Sequence, residues 1–380
     1  RADEDSGSIL VLEGKVLASI KQGGITLAPG QLAEALAGQA PDLRTLGRPR
    51  DAVQWSLYYP PVLAASGDQS HADVTPALRE AMELMGQGDS TAALAALERV
   101  PAQQRDAGFH LYRAALLMNV GQVDEAQADI DVALQRDPNA GLAYALRAIL
   151  NVVHNAREQA LVDAQRAVSL SDSAAAKIAL SYAQQASFQI GAARDTLIKA
   201  VEAHPDDALA WARLGELWLM TGERDRAREA AANAAALAPN LGRTQLVLGF
   251  ASLAEFRNAA ALSAFERAIQ LNSADPLAHL GLGLAQISDG QLETGRGELE
   301  LAVGLDSSSA LLRAYLGKAY FEEKRYPLDA QQYSIAKSLD ALDPTAYLYD
   351  GILKQTVNRP VEAVQDLELS LIHISEPTRQ

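Results

Sequence analysis

The chain has 380 residues, of which 48% are hydrophobic, 5% aromatic and 21% charged, a composition typical of a folded, alanine-rich protein. Its formal charge of −15 argues against nucleic acid as a ligand, because contact with phosphates depends on clustered Lys and Arg, and no basic stripe is present. The sequence contains no cysteine, which excludes disulfides and thiolate chemistry, and no apolar run of about 18 residues that predicts a membrane-spanning helix.

The first segment, residues 8–36, contains short alternating or β-branched runs interrupted by glycines. This pattern, with Pro29 and Gly30 marking a turn, predicts strands and hairpins. The runs VLEGKV and ITLAPGQ resemble the end of the β domain of the ferric-citrate regulator FecR and its relatives. The resemblance implies that residues 1–47 are part of a FecR-like β segment. Because the first residue is Arg1, we expect the chain to have been cut at its start.

Residues 48–73 are predicted to connect this segment to the rest of the chain. The run RPRDAVQWSLYYPPVL predicts a short helix that Asp51 caps and that Pro60 and Pro61 end. Its aromatic side chains favour a hydrophobic lid over the next segment of the chain, with an exposed recognition segment as the alternative. The polar run ASGDQSHADV then predicts a linker.

From residue 74 onward, one unit of about 34 residues recurs along the chain, and it is most complete over residues 208–241. In that unit the fourth, eighth, eleventh, fifteenth, twentieth, twenty-seventh and thirty-second places hold Trp211, Gly215, Trp218, Gly222, Ala227, Ala234 and Pro239. This pattern resembles the tetratricopeptide repeat, in which each unit is a hairpin of two antiparallel helices. Together with the FecR-like turns and the run NRPVEAVQDLE, it resembles a bacterial family in which a FecR-like domain precedes such repeats.

Small residues recur at the same places of successive units. The eighth places hold Ala81, Ala114, Ala148, Ser181, Gly215, Gly249, Gly283, Gly317 and Gly351. The twentieth and twenty-seventh places are also small, except for Asp329 and Val100. Helix axes approach to about 8 to 10 Å only where the contacting residues are small, so these places predict the contact between the two helices of each hairpin.

The register predicts repeats at residues 74–106, 107–140, 141–173, 174–207, 208–241, 242–275, 276–309, 310–343 and 344 to about 370, which is a solenoid over 74–368. Tyr326 and Pro327 stand where the second helix of the eighth repeat begins, so we expect that helix to be displaced. Residues 369–380 abandon the alanine-rich pattern and match a translated sequencing-library adapter. We therefore expect this tail to be non-native.

In the family that the repeats resemble, five places of each first helix line a concave groove: the second, fifth, ninth, twelfth and thirteenth. Carried over to this chain, the groove includes Leu78, Met82, Leu111, Met118, Ile149, Val152, Tyr182, Glu216, Leu219, Phe250, Leu253, Leu280, Leu284, Ile287, Phe321, Leu348 and Ile352. The groove would be largely apolar, which favours an amphipathic helix or an extended apolar segment as its ligand. The alternative is that adjacent first helices bury these residues against each other. The Lys and Asn residues with which some members grip a carboxylate terminus are missing from these places.

No enzyme motif is present. His110 and His279 occupy the fourth, packing place of their repeats, which predicts a structural role, and Asp129 with Asp131 predicts a solvated helix face. We expect no metal and no cofactor. The glycines of GLGLAQISDG lie inside a repeat helix and match no phosphate-binding loop.

These observations predict an all-α protein: a tetratricopeptide α-solenoid, a right-handed superhelix of helical hairpins, with a short N-terminal β segment. The function they favour is a non-catalytic scaffold that binds a protein or peptide, in the periplasm of a Gram-negative bacterium, either free or associated with the outer membrane. The alternative is the periplasmic arm of an outer-membrane export or receptor protein. A third interpretation, an arm that docks substrates for an enzyme, requires a catalytic domain that this sequence does not contain.

Overall fold

A computed structural model describes residues 6–10, 16–20, 23–27, 31–36, 42–45, 76–86, 90–119, 122–341 and 343–375. For the five strands and for residues 85–86, 90–91, 119 and 372–375 it describes the backbone only. The predicted connector and linker over residues 48–73 therefore lie outside the described residues.

Five strands are present among the first 45 residues: β1 Ser6–Leu10, β2 Val16–Ile20, β3 Gly23–Leu27, β4 Gln31–Leu36 and β5 Asp42–Thr45. Strand β4 pairs antiparallel with both β1 and β5, and β2 forms a separate antiparallel pair with β3. The resemblance of this segment to a FecR-like domain stays a prediction.

The rest of the described chain consists of α-helices joined by short turns. A first and a second helix alternate along it, with a short 3₁₀ helix at Ala102–Gln104. The first helices are α1 Pro76–Gly86, α3 Ala107–Asn119, α5 Gly141–Val153, α7 Ala174–Ala186, α9 Ala208–Met220, α11 Gly242–Ala254, α13 Pro276–Ser288, α15 Ala310–Glu322 and α17 Pro344–Thr356. The second helices are α2 Ser90–Glu98, α4 Val123–Arg136, α6 Arg157–Leu170, α8 Ile190–Ala203, α10 Arg224–Leu237, α12 Asn258–Leu271, α14 Leu292–Leu305, α16 Tyr326–Leu339 and α18 Pro360–Ser375.

The predicted register is confirmed at the helix starts. From α3 onward, each first helix begins at the residue predicted to open its repeat. The predicted displacement in the eighth repeat is wrong, because α16 begins at Tyr326 and has 14 residues, like α14 before it. Pro327 lies in the first turn of α16, where a backbone N–H has no partner within the helix, so proline is tolerated there.

Side-chain caps and residues with positive φ define the turns between helices. Six of the described first helices have a side-chain N-cap; for example, Asp207 accepts a hydrogen bond of 2.7 Å from the backbone N–H of Ala210. The fifteenth place, between the two helices of a hairpin, has a positive φ in the seven repeats from the third to the ninth. Its occupants are Asn155, Phe188, Gly222, Phe256, Gly290, Lys324 and Asn358.

The small places lie inside the hairpins, as predicted. Every residue at the eighth, twentieth and twenty-seventh places is buried, with Ala148, Ala160 and Ala167 of the third repeat all at 0% exposure. Gly283 and Gly295 show the contact directly, because a Cβ atom built on either glycine would lie 2.6 Å from the carbonyl oxygen of the other. Any larger side chain there would force α13 and α14 apart.

The chain divides into two compact units. Trp55–Asn272 contains α1 to α12, and its main core cluster runs from Leu111 to Ala230. Arg1–Gln54 with Ser273–Gln380 contains the strands and α13 to α18, and one of its core clusters joins Ala314, Ala336 and Ala346.

Candidate functional site

The candidate surface is formed by the first helices, which lie side by side within each unit. In the unit of Trp55–Asn272, α5 contacts α7, α7 contacts α9, and α9 contacts α11. In the other unit, α13 contacts α15 and α15 contacts α17. Successive second helices in the described part of the chain have no comparably extensive contacts. In a stack of hairpins, the layer whose helices lie closer together is the inner, concave one.

The fifth place of the predicted groove lies inside the stack. Its residues are almost completely buried in the seven repeats from the second to the eighth: Leu111, Ala145, Ile178, Ala212, Leu246, Leu280 and Ala314 are each at most 5% exposed. Ala314 packs in one cluster with Ala346 of the following repeat, which shows what covers this place. Leu111 and Leu280 therefore contribute to the interface between repeats.

Met118 and Ile149, two further residues of the predicted groove, are also buried, at 3% and 0% exposure. The remaining predicted residues are half-buried: Leu78, Met82, Val152, Tyr182, Glu216, Leu219, Phe250 and Leu253 in the unit of Trp55–Asn272, and Leu284, Ile287 and Phe321 in the other. Leu348 and Ile352, in the last repeat, are exposed. Among the seventeen predicted groove residues, four are thus buried, as the alternative expected: Leu111, Met118, Ile149 and Leu280. A binding role for the others stays a prediction.

A polar cluster interrupts the apolar surface between α7, α9 and α11. The carboxylate of Glu216 accepts a hydrogen bond of 3.2 Å from the hydroxyl of Tyr182, and it forms ion pairs of 3.0 Å with Arg213 and 2.6 Å with Arg243. The guanidinium of Arg213 lies 3.5 Å from the centroid of the Tyr182 ring. Burial, and then the charge of Glu216, raise the pKa of the Tyr182 hydroxyl. One carboxylate and two guanidinium groups leave the cluster with one net positive charge.

The prediction of a largely apolar groove missed the two arginines of this cluster. Arg243 occupies the second place of its repeat, one of the five groove places, so the register itself could have identified it. Arg213 occupies the sixth place, and only the packing of α7 against α9 brings it to Tyr182.

Side-chain hydrogen bonds between the two helices of a hairpin were also missed. The Nδ1 atom of His110 lies 2.7 Å from Oδ1 of Asp129, and Nδ1 of His279 lies 2.7 Å from Oε2 of Glu298. Asp129 is only 2% exposed and also binds Arg113, so the predicted solvated role is wrong for Asp129, whereas Asp131 is exposed. Both acidic partners take the twenty-third place of their repeats, which is the sequence signal that could have revealed the pairs.

In several repeats, the side chain at the fourth place contacts the loop that precedes the first helix. In four repeats its side chain donates to a backbone carbonyl six residues earlier: Trp211 Nε1 to Pro205 at 2.8 Å, Tyr144 to Pro138 at 3.2 Å, Gln245 to Pro239 at 3.0 Å and Arg313 to Ser307 at 3.2 Å. The Nε2 atom of His279 lies 3.1 Å from the Ser273 carbonyl. The structural role predicted for His279 follows from these contacts.

The described residues include no group of three or more His, Asp or Glu side chains that could hold a metal ion. Among the described helices, none combines the length and apolarity needed to cross a membrane. An open cleft of about 580 Å³ lies at the edge of the turns and is lined by Gly222, Glu223, Arg224, Asp225, Glu255 and Phe256. The arrangement of these residues offers contact surface and charge, and no paired nucleophile and base.

A family model described as tetratricopeptide repeat matches residues 78–141, 177–241 and 254–310. No curated protein is similar to the chain at a significant level.

Among solved structures, the chain is similar to one described as the APC/C hetero-tetramer Cut9-Hcn1, with 19% identity and a TM-score of 0.64 over 82% of this chain and 62% of that one. The chain thus spans less than two thirds of that neighbour. The human IFIT1 dimer with PPP-AAAA is similar at 16% identity, with a TM-score of 0.52 over 78% of this chain and 82% of that one. The repeat matches, the helix pairs and these neighbours show that the chain carries tetratricopeptide repeats and has the tetratricopeptide α-solenoid fold.

Proposed function

We propose that the protein is a non-catalytic interaction scaffold whose first-helix surface binds an apolar or amphipathic segment of a partner protein. The observation that carries this proposal is the row of half-buried apolar side chains on adjacent helices, with Leu219 on α9 and Phe250 and Leu253 on α11. Side chains of this size that remain partly open to solvent in a closely packed helix layer offer apolar area to a ligand.

The polar cluster beside these residues favours an amphipathic partner segment over a wholly apolar one. Arg213 and Arg243 already neutralise the charge of Glu216, so a bound segment does not need a positive group opposite this carboxylate. Tyr182 and Arg243 both lie at groove places, and the partly exposed Arg243 guanidinium can contact polar groups of a bound segment. A helix that presents apolar residues to Leu219 and Leu253 and a polar residue to the cluster fits this surface.

The structural neighbours agree with a binding role at the level of the fold. Cut9 is described in a hetero-tetramer with Hcn1, a protein partner, whereas IFIT1 is described with PPP-AAAA. For this chain a protein partner is favoured over a nucleic acid, because the formal charge of −15 repels phosphates.

Location in the periplasm, with assembly of an envelope complex as the role, remains a proposal that is supported by the FecR-like runs near the N-terminus. Membership of an outer-membrane export or receptor protein is the second candidate, with the same support. Fractionation of the native bacterium with an antibody against the repeats tests both. Recovery in the periplasmic fraction favours the scaffold, recovery in the outer membrane favours the second candidate, and recovery in the cytoplasm contradicts both.

Position-specific cross-linking tests the binding surface itself. A photoreactive amino acid at Leu253 in the full chain should capture a defined partner from extracts of the native bacterium. The same amino acid at Glu266, an exposed position on α12, is the matched control. In the protein that carries the photoreactive amino acid at position 253, Leu219→Glu should reduce capture with unchanged helicity, whereas Leu237→Glu on α10 should not. Equal capture from Leu253 and Glu266 would contradict a binding role for the first-helix surface.

A further inference from the structure

Charge on the first-helix surface of the unit Trp55–Asn272 is concentrated in the polar cluster of Tyr182, Arg213, Glu216 and Arg243. From the second to the sixth repeat, Glu216 and Arg243 are the only charged residues at the five groove places. The other groove places of these repeats hold apolar or uncharged polar residues. A bound segment therefore meets charge at a single position of an otherwise uncharged surface.

The charge that remains at this position is positive. The carboxylate of Glu216 forms ion pairs of 3.0 Å with Arg213 and 2.6 Å with Arg243, so one carboxylate balances two guanidinium groups. The side chain of Arg213 is only 5% exposed and lies against the ring of Tyr182, whereas the side chain of Arg243 is 20% exposed. The positive charge that a ligand can reach is therefore that of Arg243, and the group that complements it is an anion.

We propose that the partner segment carries an acidic side chain, Asp or Glu, whose carboxylate pairs with the guanidinium of Arg243. The inference rests on the proposed function, because it names the chemistry of the segment that the first helices bind. A carboxylate is favoured over a neutral polar group, since hydrogen bonds between ionised partners are roughly twice as strong as neutral ones. A basic side chain would be repelled by the cluster, whose net charge is positive.

The position of Arg243 on α11 sets the spacing between this acid and the apolar residues of the segment. Phe250 and Leu253 lie seven and ten residues further along the same helix, which corresponds to about 10 and 15 Å along its axis. In a helical segment that runs along α11, in either direction, an acid opposite Arg243 is thus about seven residues from the side chain on Phe250 and about eleven from the one on Leu253. Residues with this spacing share one face of a helix, so a single amphipathic helix can supply all three.

Selection from a displayed library of helical peptides against the full chain tests the proposal. The library varies one face of the helix, and peptides that also bind the Leu219→Glu variant are removed, so that the retained peptides depend on the first-helix surface. We expect the retained peptides to carry Asp or Glu about seven residues from an apolar residue. The formal charge of −15 makes this result demanding, because the overall field of the chain attracts basic peptides.

A double-mutant cycle on one retained peptide then identifies the residue that its acid contacts. Replacing the acid by its amide should weaken binding to the wild-type chain roughly tenfold, the loss expected for a hydrogen bond between charged groups, and should have no effect on binding to Arg243→Gln. Arg243→Lys keeps the charge and should retain part of the preference. The matched control is Arg267→Gln, which removes one positive charge from an exposed position on α12 and should behave as the wild type does. Circular dichroism verifies that the variants have equal helicity.

The outcomes separate this inference from the proposed function. Peptides that depend on Leu219 but carry no acid would overturn the inference and leave the binding surface intact. An acid whose replacement weakens binding equally in the wild type and in Arg243→Gln would do the same. A selection that retains no Leu219-dependent peptide would overturn the proposed function and, with it, this inference.

Discussion

The ring of Tyr333 covers Gly317, at the point where α15 and α16 meet. A Cβ atom built on Gly317 would lie 2.8 Å from Cδ1 of the ring and closer still to Cε1. Tyr333 is 1% exposed, so its ring is enclosed by the surrounding side chains. The two helices of this hairpin can therefore pack closely because Gly317, at the eighth place, has no side chain and the large ring of Tyr333 fills the space beside it.

Gly317→Ala should therefore destabilise the protein, by roughly 1 to 3 kcal/mol from overpacking, although alanine has the higher helix propensity. Urea unfolding followed by circular dichroism measures the change. Gly191→Ala is the matched control, since a Cβ at Gly191 meets no atom within 4 Å and α8 should gain a few tenths of a kcal/mol. An unchanged unfolding curve for Gly317→Ala would mean that the helices are less closely packed than the structure shows.

The second prediction concerns Asp329, the one charged residue at a twentieth place. Its side chain is fully buried, and its Oδ2 atom has no hydrogen-bond partner among the described residues. Desolvation, and then the charge of Asp350, raise the pKa of the Asp329 carboxyl from 3.8 to about 6. The folded state therefore binds this proton more tightly than the unfolded state does. The resulting stability is fully present below about pH 4 and is lost as the pH rises through about 6.

Asp329→Ala should remove this loss and make the protein more stable at pH 7.5, on the order of 2 kcal/mol, because alanine fits the twentieth place in the other repeats. The measurement is the free energy of unfolding of both proteins in urea at pH 4.5 and pH 7.5. Asp329→Asn keeps the size of the side chain and also removes the titration, so it separates the effect of charge from that of volume. A stability difference between wild type and Asp329→Ala that does not depend on pH would contradict the assignment.

The sequence predicted the stack well because a constant stride of small residues restricts where two helices can meet. The starts of the first helices from α3 to α17 follow from that stride alone. It could not predict the pairs His110–Asp129 and His279–Glu298, because their 19-residue separation joins two helices whose facing sides are known only once the hairpin has formed. The sequence left the burial of Leu111 and Leu280 open as an alternative for a similar reason, since the following repeat covers the fifth place.

The third prediction compares two ion pairs that occupy the same places in different repeats. Arg296 is 1% exposed and pairs with Glu323 at 2.8 Å, whereas the side chain of Arg228 is 43% exposed and pairs with Glu255 at 3.1 Å. Double-mutant cycles to Leu should give a coupling of about 1 to 3 kcal/mol for the buried pair and below about 1 kcal/mol for the exposed one.

Within the first cycle, Arg296→Leu alone should cost about 3 to 5 kcal/mol because it leaves Glu323 without its buried partner, although Arg325 retains a contact of 2.9 Å with that carboxylate. The double variant should recover much of this loss. Equal coupling in the two cycles would show that burial does not set the strength of this interaction.

The last prediction concerns Phe256, whose backbone has the left-handed φ of 59° while its ring is 78% exposed. This conformation is unfavourable for a bulky residue and tolerated by Asn, which occupies the same place as Asn155 and Asn358. Within the described part of the chain, the guanidinium of Arg224 lies 5.9 Å from the ring centroid, a compensating contact worth about 0.5 to 1 kcal/mol at an exposed site. Strain of about 1 to 3 kcal/mol exceeds that contribution. Phe256→Asn should therefore stabilise the protein by about 1 kcal/mol, and by more in an Arg224→Gln background, where the contact is already lost.

Phe188→Asn should give a smaller gain, because Phe188 is 42% exposed and lies closer to its arginine, with 5.2 Å to Arg157. Thermal unfolding of these variants measures the differences, and a loss of stability in Phe256→Asn would show that the exposed ring contributes more to the fold than its backbone strain costs.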